Sequence, residues 1–496
     1  MSDQEPALEA GAVAEADVLD STDAGNKVIR GGGLRIASYV SGILVGLISA
    51  PLLVRHLSVS EFGLYATASS IVFVVGGLVE GGLGNVAIRG YAQSDREERR
   101  ALLNALLGLR FVMTTAGLLA ALAFTLVAGY HWQVTAGVAI GGVGMVLGAW
   151  QVTATVSLQA ELKLGSLAAI DLVRQFASTL GIAGLVVAGA GLTAFFAVSP
   201  VAFLCALAAT LVATGGRHMR PVIDVARWKQ LLKETALYAV ATALGVLYFQ
   251  VAIISTSLLS TATQAGYYSA AFRVVDLANG VPWLLAASAF PLLARAAHND
   301  ADRLRYATQR LFETALLVGA AFCVAIVIGA PFALQVIGGD KLDPAVPTLR
   351  LLGAGVPFTF LVAHWSFTML SLHRHRELVS ANAIAVVVAL ILSGALITTH
   401  GARGAAITTI SLEVVLATLY AVLLTRAHPE LRPELGALPR VLAALALALA
   451  VGVLLPGGVV VATCAALAVY LAAAMLLGAV PEEIAAALKE RLARRS

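Results

Sequence analysis

Charged side chains inside long apolar segments are the residues of this sequence with the clearest capacity for chemistry. Arg110, Arg174 and Arg273 lie within such segments, and Arg35 lies near the start of another. A charge in the hydrocarbon of a membrane is costly, so it usually faces a cavity or a partner. Because a guanidinium binds phosphate through paired hydrogen bonds, these four arginines are candidates for binding an anion such as a diphosphate.

Two of these arginines have an equally good structural interpretation. Asp171 precedes Arg174 by three residues, and Asp276 follows Arg273 at the same spacing. Residues three apart share one face of a helix, so each pair can neutralise its own charges. For Arg174 and Arg273 the sequence leaves both interpretations open.

The other arginines differ in how far they lie from the ends of their apolar segments. Arg35 and Arg350 lie near the ends of their segments, where a long side chain can reach the membrane surface. Arg110 lies about two turns into its segment and has no acid within four residues. The sequence therefore favours Arg110 as the arginine that faces a cavity.

Three acidic side chains, Glu80, Asp276 and Glu413, also lie in apolar segments. A carboxyl within a membrane can bind a proton or Na⁺ and couple transport to an ion gradient. It can equally stay protonated and hydrogen-bond between helices. Glu413 is the nearest of the three to the middle of its segment. All three are candidates for ion coupling.

Cofactor and metal chemistry has no support in the sequence. The three cysteines lie inside apolar segments without paired spacing, at Cys205, Cys323 and Cys464. Such isolated cysteines predict small buried hydrophobes and not a disulfide or metal centre. The motifs GxxxxGK[ST], GxGxxG and HExxH do not occur, so we expect no nucleotide, metal or other cofactor.

Membrane-spanning helices must position these residues. Of 496 residues, 59% are hydrophobic and 12% are charged, with a mean hydropathy of +0.87; soluble domains carry about 25% charged residues. The sequence predicts an all-α polytopic membrane protein with about 14 transmembrane helices. The predicted segments run over 36–54, 61–86, 102–129, 134–160, 165–188, 191–214, 236–259, 266–294, 311–335, 348–371, 377–398, 402–425, 440–456 and 459–479.

The basic residues predict the orientation. Outside the segments, every Lys and Arg except Arg55, Lys341 and Arg403 falls on one side if the N-terminus is cytoplasmic. This is the bias of the positive-inside rule. We therefore predict a multi-pass protein of the inner membrane with both termini in the cytoplasm.

An internal repeat is visible at the starts of two segments. The sequence GLYA at residues 63–66 is similar to GYYS at residues 266–269, and Gly191 corresponds to Gly401. Six segments separate the equivalent positions, so the repeats would be parallel, an arrangement found in secondary transporters.

Several motifs resemble one family. Residues 51–66 (PLLVRHLSVSEFGLYA) resemble the first loop of polysaccharide-transport flippases, from the O-antigen and teichoic-acid branch of the multidrug/oligosaccharidyl-lipid/polysaccharide exporter superfamily. Residues 265–273 (AGYYSAAFR) and 401–406 (GARGAA) are similar to motifs of its second half. The resemblance covers roughly residues 30–480. One departure is Gln250, since the family often has an acidic residue in the seventh helix.

The resemblance implies a flippase. It would move an undecaprenyl-diphosphate-linked oligosaccharide across the inner membrane by alternating access, for O-antigen, lipopolysaccharide or other cell-surface polysaccharide biosynthesis. Its partners would be the lipid-linked oligosaccharide, the lipid bilayer, and polysaccharide polymerases or glycosyltransferases; no nucleic-acid partner is expected.

The resemblance also implies a division of the chain into two helix lobes around a central cavity. The predicted regions, in order, are a disordered acidic cytoplasmic tail (1–30), an N-lobe of helices 1–6 (31–214), a cytoplasmic amphipathic linker (215–235), a C-lobe of helices 7–12 (236–426), helices 13–14 (427–480) and a basic cytoplasmic tail (481–496).

Two other functions are compatible with these features. A cation-coupled drug antiporter of the same superfamily would share the fold. A membrane oligosaccharide polymerase or ligase would be an enzyme, and the short predicted outer loops leave little room for its active site. The sequence therefore favours a transporter and not an enzyme.

Overall fold

The computed structural model of the chain describes residues 41–42, 45–46, 48–216 and 219–480. These residues form α-helices joined by turns, with no β-strand in the described ranges. The prediction of an all-α polytopic membrane protein is confirmed. The predicted tails 1–30 and 481–496, together with Arg35, lie outside the described residues.

Most helices follow the predicted segments. In chain order they are α1 (helical over 48–56), α2 (Val59–Glu80), α3 (Leu83–Gln93), α4 (Arg96–Val127), α5 (Trp132–Ala160), α6 (Leu164–Val187), α7 (Leu192–Phe196), α8 (Val198–Ala213), α9 (Val225–Leu259), α10 (Ala262–Asn299), α11 (Ala301–Gly338), α12 (Val346–Ser371), α13 (His375–Ala427), α14 (Ala437–Leu454) and α15 (Val459–Leu476). The segment predicted over 61–86 is divided into α2 and α3, and that over 191–214 into α7 and α8. Twelve helical stretches of the described residues are long and apolar enough to cross a membrane.

The longest helix, α13, contains two spans. Its 53 residues would extend about 80 Å, well over twice the thickness of a bilayer core. Gly401 interrupts it with φ 54° and ψ −127°, a conformation that suits glycine. The Gln264 side chain of α10 accepts a hydrogen bond from the Ala402 N–H (2.9 Å) and caps the second part. The total of about 14 crossings stays a prediction, since segment 36–54 is only partly described.

The helices pack as two groups and a peripheral pair. In the first group α5 packs against α2, α4 and α8, and α6 packs against α8. In the second group α12 packs against α10, α11 and α13, and α13 packs against α9. We call these groups the N-lobe (α1–α8) and the C-lobe (α9–α13). Helices α14 and α15 pack together on α11, where the Tyr470 hydroxyl donates to the Leu317 carbonyl (2.7 Å).

The two lobes meet where α2 crosses α10, at the glycines of the predicted repeat. A Cβ atom at Gly63 would lie 1.9 Å from the Ala262 carbonyl oxygen, and one at Gly266 would lie 2.1 Å from the Val59 carbonyl oxygen. Neither position has room for a side chain, so the two backbones are in direct contact. The repeated glycine therefore serves one function in both lobes, the close approach of α2 and α10.

Two basic residues form hydrogen bonds between the lobes at the predicted outer face. The Lys341 ammonium donates to the carbonyls of Val54 (2.5 Å), Leu57 (2.6 Å) and Arg55 (3.0 Å) at the end of α1. In return, the Arg55 guanidinium donates to the Val336 carbonyl (3.0 Å) near the end of α11. Cations are stabilised at helix C-termini, where carbonyls lack partners. We call Arg55 and Lys341 the outer clasp.

The linker between the lobes differs from the predicted surface helix over 215–235. Residues 219–224 are irregular, and α9 then continues without interruption from Val225 into the membrane. Asp224 caps this helix by accepting from the Arg227 N–H (3.0 Å), which fixes its start. The irregular part lies on α4, because Gly108 leaves space for the Val222 backbone. The linker is therefore docked on the N-lobe.

Candidate functional site

A cavity of about 590 Å³ lies inside the N-lobe, between α2, α4, α5 and α8. Its wall is mostly apolar and includes several glycines, among them Gly76 and Gly141. A Cβ atom at Gly76 would have only Met145 within 4 Å, at 3.8 Å. The absence of side chains at these positions keeps the cavity open. Its charged lining residues are Arg110 and Glu80.

Arg110 is the buried cation of this cavity. Its side chain is 1% exposed, and its Nη2 atom lies 2.6 Å from Oε2 of Glu80. Its Nη1 atom donates to the Thr153 hydroxyl (3.0 Å) on α5. Its Nε atom is buried and has no hydrogen-bond partner among the described residues. The guanidinium is thus held by two helices, and its Nε donor stays unused.

Glu80 reaches Arg110 from the end of α2. Gly81 (φ 34°) and Gly82 (φ 83°) follow it and break the chain between α2 and α3. The other carboxylate oxygen of Glu80 accepts from the Gly84 N–H (3.2 Å) in the first turn of α3. A Cβ atom at Gly84 would lie 2.7 Å from that oxygen, so glycine makes room for the carboxylate.

The other predicted anion-binding arginines lie apart from Arg110. The Arg174 guanidinium lies 5.8 Å from the ring centre of Phe203, which lines the cavity. Arg273 is exposed and lies near Tyr65, another lining residue. The structure thus places both arginines beside the cavity wall, and it joins Arg110 and Glu80 in an ion pair.

Two further charged residues, Asp276 and Arg350, are exposed. Asp276 is exposed and interacts electrostatically with Arg273. Arg350 is exposed near the start of α12, in agreement with a side chain that reaches the membrane surface.

Glu413 lies in the C-lobe, in a separate and much smaller space of about 20 Å³. Its side chain faces the hydroxyls of Tyr248 and Thr359, and the residue is 6% exposed. Within the described chain, its Oε2 atom has no hydrogen-bond partner. The hydroxyls of Tyr268 and Thr409, 2.8 Å apart, complete this polar wall. The space is large enough for about one water molecule or a small ion.

Sequence reasoning did not identify the hydroxyl residues of either site. Thr153, Thr359 and Tyr248 stand in apolar segments, where hydroxyl side chains usually bond to their own helix; Thr153 also donates to the Ala149 carbonyl (2.7 Å). One signal was available: the glycine pair after Glu80 marks a helix break, which points to a special backbone position for that carboxylate.

The sequence matches a model of a known protein family. A family model described as "Polysaccharide biosynthesis protein" matches residues 52–347, more than half of the chain. No curated protein sequence matches the chain.

Solved transporters have the same fold. A structure of the lipid II flippase MurJ in an inward closed conformation aligns with TM-score 0.75 at 13% identity, over 89% of this chain and 98% of that chain. An inward-facing multidrug resistance transporter of the MATE family, from the MOP superfamily, aligns with TM-score 0.63 at 13% identity, over 80% and 98%. A MOP superfamily transporter from Pyrococcus furiosus aligns with TM-score 0.55 at 14% identity, over 82% and 96%. With the family match, these structures confirm the resemblance to polysaccharide-transport proteins; the motifs at 51–66 and 265–273 fall almost wholly within the matched residues, and the motif at 401–406 lies beyond them.

Proposed function

Since the chain belongs to the family of polysaccharide biosynthesis proteins, we propose that it is a lipid-linked oligosaccharide flippase. It moves an undecaprenyl-diphosphate-linked oligosaccharide from the cytoplasmic to the outer leaflet of the inner membrane by alternating access, for cell-surface polysaccharide biosynthesis. The observation that carries the proposal is the buried Arg110 in the wall of the N-lobe cavity. The similar fold of a lipid II flippase supports it.

The N-lobe cavity suits an amphipathic anion. Its volume of about 590 Å³ lies within the range of small-molecule binding sites. Arg110 supplies a charged donor in surroundings that exclude most water, where a hydrogen bond to phosphate is strong. The apolar remainder of the wall tolerates the first isoprene units, while the rest of the tail stays in lipid. The diphosphate therefore binds at Arg110, with Arg174 and Arg273 beside the cavity as additional attractive charges.

We assign ion coupling to Glu413 by comparing the neighbours of the three candidate carboxylates. Glu80 already faces Arg110, and Asp276 interacts with Arg273, so each of these carboxylates is partly neutralised by a cation. Glu413 instead faces neutral hydroxyls in a space that holds about one small ligand. A proton or Na⁺ bound there would neutralise its buried charge.

A cation-coupled drug antiporter is the second candidate, because the MATE transporters share the fold. The charge of the N-lobe cavity favours the flippase, because a buried arginine attracts an anionic substrate and repels a cationic one. We therefore place the flippase first.

Depletion of the protein in cells tests the proposal. We expect lipid-linked oligosaccharide to accumulate on the cytoplasmic leaflet and the surface polymer to disappear, as measured by leaflet-selective enzymatic digestion. If the oligosaccharide reaches the outer leaflet while the polymer is lost, a polymerase or ligase is the correct function. If neither changes, the substrate class is wrong.

A further inference from the structure

The Arg110–Glu80 ion pair is strongly asymmetric. The Arg110 side chain is 1% exposed, whereas the Glu80 side chain is 44% exposed. Thr153 holds the guanidinium from a second helix, at 3.0 Å. Arg110 is therefore the fixed member of the pair, and the carboxylate is the member that can be exchanged.

Glu80 has a second position to occupy once it leaves Arg110. Its Oε1 atom already accepts from the Gly84 N–H at the start of α3. This α-helix has 11 residues, and its N-terminus favours a negative charge. The glycines between Glu80 and α3 have positive φ angles, which turn the chain so that the Gly84 N–H faces the carboxylate. Release of Arg110 thus leaves the carboxylate with a hydrogen-bond partner.

We propose that Glu80 is an internal substitute for the anion of the substrate. Its carboxylate binds Arg110 in the empty transporter, the diphosphate displaces it, and its return to Arg110 expels the diphosphate after translocation. The inference rests on the proposed function, because it takes Arg110 as the diphosphate site. It explains how a diphosphate bound to a buried arginine is released again.

The exchange takes place beside the contact between the lobes. A Cβ atom at Gly82 would lie 2.1 Å from the ring of Tyr238, and one at Gly81 would lie 3.0 Å from the Cβ of Ala239, both on α9 of the C-lobe. A change in the backbone after Glu80 therefore presses directly on α9. Occupancy of Arg110 is linked in this way to the relative position of the lobes.

Binding of undecaprenyl diphosphate to the purified full chain in nanodiscs tests the proposal, with undecaprenol as the probe that lacks the diphosphate. Glu80→Gln keeps the shape of the side chain and removes the competing charge. We expect its Kd for undecaprenyl diphosphate to fall about tenfold, since a charge-assisted hydrogen bond no longer competes. The Kd for undecaprenol stays unchanged, and flipping in proteoliposomes becomes slower because release is impaired.

Two further variants sharpen the test. Gly84→Ala keeps both charges but places a methyl group against the Glu80 carboxylate, so it tightens diphosphate binding less than Glu80→Gln does. This variant also serves if Glu80→Gln does not fold. Arg350→Ala removes an exposed charge from the C-lobe and leaves the Kd for undecaprenyl diphosphate unchanged.

The outcomes separate this inference from the proposed function. If the wild-type protein prefers undecaprenyl diphosphate to undecaprenol but neither Glu80→Gln nor Gly84→Ala binds it more tightly, Glu80 is only a structural counter-ion and the inference is overturned. If the wild-type protein shows no such preference, the anion site at Arg110 itself is wrong.

Discussion

The two lobes use their interior charges in opposite ways. The N-lobe surrounds a cavity of about 590 Å³ with an arginine at its wall, whereas the C-lobe encloses Glu413 in about 20 Å³.

The interiors of the two lobes therefore fit ligands of different size and charge. Glycines along α2 and α5 hold the N-lobe open for a large anion. Tyrosine and threonine hydroxyls close the C-lobe around one carboxylate, a geometry that suits a proton or a single small cation. The glycines of the predicted repeat meet at the contact of α2 with α10, whereas the chemistry of the two lobes differs.

The largest effect is expected at Arg110. Arg110→Ala removes the buried charge from the N-lobe, so we expect surface-polymer complementation to fall at least about tenfold, from the strength of one charge-assisted hydrogen bond. Arg110→Lys retains part of the activity, because the charge survives without the planar guanidinium geometry. Activity is normalised to the amount of protein in the membrane.

The control for Arg110 is Arg350→Ala on exposed α12 surface, which we expect to complement almost fully. Full activity of Arg110→Ala would remove this residue from the site. A loss of protein in step with activity would show that Arg110 serves folding through Glu80 and Thr153.

Filling the N-lobe cavity should have the next largest effect. Gly76→Phe projects a ring into the space that Gly76 leaves open, so we expect the affinity for undecaprenyl diphosphate and the flipping rate to fall severalfold. The matched control is Gly394→Phe, at an exposed glycine of the C-lobe with no atom within 4 Å of its Cβ position. Equal activity of both variants would mean that the substrate does not enter this cavity.

A smaller and more selective effect is expected in the C-lobe. Glu413→Gln preserves the shape of the buried side chain but cannot bind a cation by charge. We expect flipping to lose its dependence on an imposed ion gradient, with the Kd for undecaprenyl diphosphate within about twofold of wild type, since Arg110 lies in the other lobe. A large loss of lipid binding would contradict the separation of the two sites.

The smallest effect is expected at the outer clasp. Lys341→Ala removes three hydrogen bonds to the end of α1 and should weaken the lobe contact by about 1 kcal/mol, a typical value for a cation at a helix C-terminus. The readout is faster labelling of Leu57→Cys by an impermeant thiol reagent in an otherwise cysteine-free protein. Arg403→Ala, at the third basic residue of the predicted outer side, should leave the labelling rate unchanged; faster labelling there too would argue against a specific clasp.

Helix positions could be predicted because hydropathy is a property of each segment alone. The segment predicted over 165–188 is α6 (Leu164–Val187), and the one over 134–160 is α5 (Trp132–Ala160). The start of α9 could not be placed in the same way. Its polar first turns resemble a surface helix, and only the structure shows that they belong to one helix that begins after the Asp224 cap and runs to Leu259.

The sequence did not predict which side chains of different helices contact one another. Arg110 was a candidate because of its depth, and Glu80 was a candidate for a different reason, yet nothing in the order of residues places them 2.6 Å apart. Their contact depends on the rotation of α4 and on the break at Gly81 and Gly82. The outer clasp is similar: Arg55 and Lys341 were visible as exceptions to the charge distribution, but their helix-end partners depend on how the lobes meet.

The most direct test of the account is transbilayer movement of a labelled undecaprenyl-diphosphate-linked oligosaccharide by the purified protein in proteoliposomes. The label is followed by its accessibility to an impermeant quencher, in parallel with protein-free vesicles and with Arg110→Ala. We predict fast equilibration between leaflets with the wild-type protein and a rate close to that of protein-free vesicles with Arg110→Ala. Equal rates for the wild-type protein and empty vesicles would contradict the proposed function, and equal rates for wild type and Arg110→Ala would contradict the N-lobe site.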